Sequence, residues 1–119
     1  DVSYAEDQLF GRDLLDAGYR KAYAPAAVVE HSNDSTIREF GNRVAADVIG
    51  LRQIGTTVEP VSRFAAFKQW VKWTLMDSAD ILVDRDYGVG RKLYWLAVNP
   101  AYHASKWSGY RAGSIKKLD

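Results

Sequence analysis

Glu6 and Asp7 stand side by side ahead of an apolar-periodic run in "YAEDQLFGRDLLDAGYRKAYAPAAVVEHS", residues 4–32, and the lone His31 closes the β-rich end of the same stretch. Two carboxylates at the mouth of a helix have two readings. They are favourable first-turn charges, each worth a few tenths of a kcal/mol against the helix dipole. Alternatively, one is a general base that takes the proton of an acceptor hydroxyl, kept ionised by the helix N-terminus. His31 reads either as a satisfied structural residue or as a ligand to a divalent ion through its neutral imidazole. The chain has no Cys and only one other His, His103, so any metal at His31 needs oxygen ligands from elsewhere. His103 falls in a predicted helix and reads as an ordinary surface or core residue. "GVG" at 88–90 lacks the third glycine and the preceding strand of a dinucleotide-binding turn. No Ser–His–Asp arrangement follows from spacing alone.

These residues need elements to hold them. Leu9, Phe10, Leu14 and Ala17 recur near helical spacing, which predicts a helix over 5–17 that stops at Gly18. "YRKAYAP" and "AAVVEH" predict two short strands, or one strand and an extended segment, divided by Pro25. Thr36 and Glu39 fit a capping box opening a helix that runs to about residue 53, with Ser35 or Asp34 as alternative caps. Pro60 suits the first position of a long helix whose stripe is Phe64, Phe67, Val71, Leu75, Ser78 and Leu82. "DRDYGVG" breaks that pattern. A further helix is expected over 90–97, and Asn99-Pro100 reads as cap and first turn of a last helix over about 100–112.

Composition bounds the function. At 119 residues with 47% apolar content, the chain is one domain or part of one, and disorder is not the default. The absence of cysteine excludes disulfides and thiolate metal sites and suits a reducing compartment. No signal peptide or membrane-spanning run is visible. The chain opens on "DVSYAED" without an initiator Met and reads as a fragment or a processed chain. Net charge is +1, but residues 1–59 carry six Lys/Arg against ten Asp/Glu, and residues 60–119 carry ten against five. In the basic half, Trp70, Trp73, Trp95 and Trp107 accompany cations on amphipathic helices. That half either packs a helical bundle or a self-association contact, or lies on an anionic membrane surface. No groove-reading motif is present, so no nucleic-acid partner is expected.

The run of Glu6-Asp7, Ala17-Gly18-Tyr19, Pro25, Ala27, Val29, His31 and Ser32 resembles the C-terminal end of the catalytic domain of glycosyltransferase family 2. The "AEDQ…GRD" variant is most similar to bacterial rhamnosyltransferases. The likeness covers residues 4–35 closely and the following helix loosely. It implies a mainly α chain with a small β element: the end of a GT-A catalytic domain over 1–58, then a helical, basic, aromatic extension over 59–119. It further implies that Asp7 is the catalytic base, with Glu6 in support, that His31 helps to bind Mg²⁺ or Mn²⁺, and that Gln8 and Arg12 touch substrate or serve structure. The implied partners are a nucleotide-sugar donor of the dTDP-rhamnose kind and a glycan or lipid-linked acceptor. The implied place is the cytoplasm, at the inner face of the plasma membrane. The family's nucleotide-binding half and its upstream Asp-x-Asp motif are missing, since "DRD" at 84–86 stands after the base motif. The chain alone is therefore expected to be inactive.

Overall fold

The computed structural model describes residues 6–26 and 35–118. They form four α-helices: α1 (Glu6–Asp16), α2 (Ile37–Gln53), α3 (Arg63–Val83) and α4 (Val89–Ile115). Among the described residues there is no strand, which overturns the expected small β element and the α/β fragment built on it. The first proposed strand, residues 19–25, is irregular and exposed, with Tyr23 open to solvent. Aromatic residues there gave the segment strand character. A strand also needs a neighbouring backbone to take up its N–H and C=O groups, and here no ladder forms. The second proposed strand, with His31, lies outside the described residues.

α1 ends in a left-handed turn at Gly18 (φ 87°), where the Tyr19 N–H donates to the Leu14 carbonyl. α2 opens with the capping box expected from its sequence. The Glu39 N–H donates to Thr36 Oγ1 at 3.2 Å, and the Thr36 N–H donates to the Glu39 carboxylate at 2.8 Å. These bonds hold the Glu39 carboxyl below its ordinary range, the backbone bond from Thr36 contributing most. α3 begins three residues later than Pro60 suggested, because the Ser62 hydroxyl takes the Ala65 N–H and serves as the cap.

α4 is the hub, since α2 and α3 both pack along it. It is one continuous helix of 27 residues, not the two that Asn99-Pro100 suggested. The Asn99 side chain is spent elsewhere: its amide donates to the Thr74 carbonyl (3.1 Å) and to Ser78 Oγ (3.0 Å) on α3. With Asn99 buried in a tertiary contact it cannot cap, and Pro100 sits inside the helix at the cost of one backbone bond. The Pro100 carbonyl accepts from Trp70 Nε1 at 2.9 Å, a second tie to α3.

The α2–α4 seam is built from small residues. Gly41 and Ala45 meet Ser105, Gly109 and Gly113. A side chain at Gly109 would run into the Gly41 carbonyl oxygen, and one at Gly113 would lie 2.6 Å from the Ala45 carbonyl oxygen. Ser105 donates its hydroxyl to the Ile37 carbonyl. At the far end Arg52 donates to the Gly113 (2.7 Å) and Lys116 (2.6 Å) carbonyls, closing the C-terminus of α4. The two helices run in the same direction, low numbers beside low numbers.

Candidate functional site

Two places carry chemistry. The first is α1. Asp7 stands in its first turn, exposed, with Oδ1 accepting the Gln8 N–H at 2.8 Å. Gln8 is exposed as well. Arg12 donates to the Ile54 carbonyl at 2.5 Å and so ties α1 to the end of α2. Its guanidinium also lies 4.0 Å from Asp13, an exposed pair of small energetic weight. Glu6 begins α1, and His31 lies outside the described residues.

The second is a cleft of about 600 Å³ between α3, α4 and the first turn of α2. One wall is acidic: Asp77, Asp80 and Asp84 recur at three- and four-residue steps on α3 and so share a face. The facing wall is aromatic, with Trp95 and Tyr102 from α4 and Phe40 from α2, and Lys106 of α4 adds a cation. Tyr102 lies 5.5 Å from Phe40 and 6.4 Å from Trp95, ring centre to ring centre. The buried His103 reaches Asp77 Oδ2 through Nε2 at 2.8 Å. A carboxylate only accepts, so Nε2 carries the proton in that bond. The other ring nitrogen, Nδ1, is buried without a partner.

The acidic wall works against the helix that bears it. Asp80 lies in the last turn of α3 and Asp84 caps its end, where the dipole disfavours anions. Lys92 offsets part of this by donating to the Leu82 carbonyl at 2.6 Å. Carboxylates with aromatic faces accept hydroxyl groups and stack apolar ring faces, which suits a polyol. Among the described residues, no group of three or more His, Asp or Glu is placed to hold a metal ion.

The cleft and α1 are not one site. Neither Asp7, Gln8 nor Arg12 lines the cleft. Arg12 is anchored at Ile54, whereas Phe40 enters the cleft from the opposite end of α2, roughly 20 Å away at 1.5 Å per residue. The cleft is not legible in the sequence. The three-and-four spacing of the aspartates was visible in it, but their opposition to His103, Trp95 and Tyr102 depends on how α3 folds back on α4. Compared with known proteins, the chain matches no family model, no curated protein and no solved structure.

Proposed function

We propose that the chain is the base-bearing segment of an inverting glycosyltransferase that acts with a nucleotide-sugar donor, and that Asp7 takes the acceptor proton. The observation that carries this reading is the run Glu6-Asp7, Ala17-Gly18-Tyr19, Pro25 to Ser32, with its resemblance to family 2 glycosyltransferases. The exposure of Asp7 in the first turn of a helix supports it, since a base must meet its substrate. As the acceptor hydroxyl attacks the anomeric carbon, its proton passes to the Asp7 carboxylate and the diphosphate leaves with the bonding pair. A donor-side divalent ion, Mg²⁺ or Mn²⁺, would neutralise that leaving group, with His31 as the proposed protein ligand. The acceptor belongs to polysaccharide assembly in this reading, and rhamnose is the proposed sugar.

Asp7→Asn in the complete polypeptide tests the assignment. The amide keeps the size of the side chain but cannot take a proton, so sugar transfer collapses while folding is kept. Undiminished transfer contradicts the reading.

A second reading is a non-catalytic helical module that binds a surface. One observation favours it: the long apolar stripe of α3 faces outward.

A further inference from the structure

Phe64, Phe67, Val71, Leu75 and Leu82 form the stripe of α3 at helical spacing. Most of it turns away from α4; Ser78 of the same stripe accepts from the Asn99 amide, and Phe67 lines a depression with Trp107 and Arg111. Phe64, Phe67, Val71, Leu75 and Leu82 are 71%, 54%, 37%, 66% and 58% exposed, in that order. The inward face carries Ala66, which is buried, Trp70, which bonds the Pro100 carbonyl, and Asp77, which bonds His103. The tryptophans and the stripe thus part company, with Trp70 and Trp95 serving the inner surfaces.

The charges of α3 are sorted the same way. Asp77, Asp80 and Asp84 all line the cleft. Lys68 and Lys72 lie beside the stripe in sequence, Lys68 Nζ 5.8 Å above the Phe64 ring and Lys72 Nζ 5.4 Å from the Trp73 ring. Beside Phe67 a shallow depression is lined by Arg63, Trp107, Ser108 and Arg111. Among the described residues no carboxylate pairs with Lys68, Lys72 or Arg63. The stripe is about 30 Å long at 1.5 Å per residue, but no helix among the described residues is long and apolar enough to cross a membrane.

We propose that α3 lies flat on an anionic phospholipid bilayer, its stripe at the acyl boundary and Lys68, Lys72 and Arg63 at the headgroup phosphates. The inference does not depend on the transferase reading. An apolar face bordered by cations, with the anions turned inward, is complementary to such a surface in both hydrophobicity and charge. A second copy of the chain fits less well. A two-fold contact through this face would gather the cations of both copies with no carboxylate on the face to offset them.

The test uses the 119-residue chain, sedimented with phosphatidylcholine vesicles that contain or lack about 30% phosphatidylserine, at about 50 and about 500 mM NaCl. Binding is expected at least tenfold stronger to the anionic vesicles and is released by high salt. Leu75→Glu lowers the partition at least tenfold, and Lys68→Gln with Lys72→Gln lowers it roughly fivefold per cation. Leu82→Glu is a second disruption of the stripe, and unchanged melting of each variant shows that the fold persists. The proposal is overturned by absence of sedimentation, by equal binding to neutral and anionic vesicles, or by a dimer in light scattering that Leu75→Glu dissolves.

Discussion

The two seams of α4 are made by opposite means. Against α2 it presents Ser105, Gly109 and Gly113, and backbone comes close to backbone. Against α3 it presents Asn99, His103 and Trp95, and side chains keep the helices apart. At the first seam the backbones leave no room for a side chain at Gly109 or Gly113, and only smaller grooves flank it. The second leaves a cleft, and it holds α3 by a few polar ties while the outer apolar face stays uncovered. Backbone contact joins one seam, and the larger cleft and the uncovered apolar face lie at the other.

The largest effect is expected at the tight seam. Gly109→Ala drives a methyl group against the Gly41 carbonyl, and backbone cannot step aside as a side chain would. A loss of about 3 kcal/mol is expected, the upper part of the overpacking range, seen as a fall in melting midpoint of about 10 °C or more. Gly90→Ala in the same helix meets nothing within 4 Å and is expected to leave stability unchanged or slightly raised. Equal behaviour of the two variants would break the distinction between the seams.

The polar seam gives less. Asn99→Ala removes two hydrogen bonds and is expected to cost about 2 kcal/mol in chemical denaturation. If instead it costs more than Gly109→Ala, the ordering of the two seams is reversed.

Much of α2 was legible because its signals are local. Thr36 and Glu39 lie three residues apart and satisfy one another without help from the rest of the chain. The stripe of α3 was equally legible as periodicity, but periodicity does not say which face is covered. That depended on Trp70 and Asn99 finding partners across the α3–α4 turn. Asn99-Pro100 misled for the same reason: a residue with good capping chemistry was drawn into a tertiary contact. The spacing Ser105, Gly109, Gly113 was present in the sequence, and with Gly41 and Ala45 it could have announced a close helix pair. Residues 19–25 have strand-forming side chains, but residue preference alone does not supply the neighbouring backbone a ladder needs, and none forms there. At the candidate sites, the helix that carries Asp7 was legible, whereas the cleft required knowledge of the fold.

The smallest effect belongs to a local feature outside both seams. The folded Glu39 carboxyl titrates below its unfolded counterpart, so its contribution is fully present above the ordinary glutamate range and is lost as the pH falls through the folded value. Thermal melts between neutral and acid pH should show a shallower acid loss for Glu39→Gln than for the parent. An identical slope would remove Glu39 as a contributor.

The functional account rests on Asp7, and its most direct test compares Asp7→Asn with Asp13→Asn in the complete polypeptide. Both aspartates are exposed on α1, but only Asp7 stands in the first turn. With a nucleotide-sugar donor, Mg²⁺ and a glycan acceptor, Asp7→Asn is expected to lower turnover by about 10²- to 10⁴-fold, and Asp13→Asn by less than about twofold. Equal turnover of the two variants, with both folded, would contradict the assignment of Asp7 as the base.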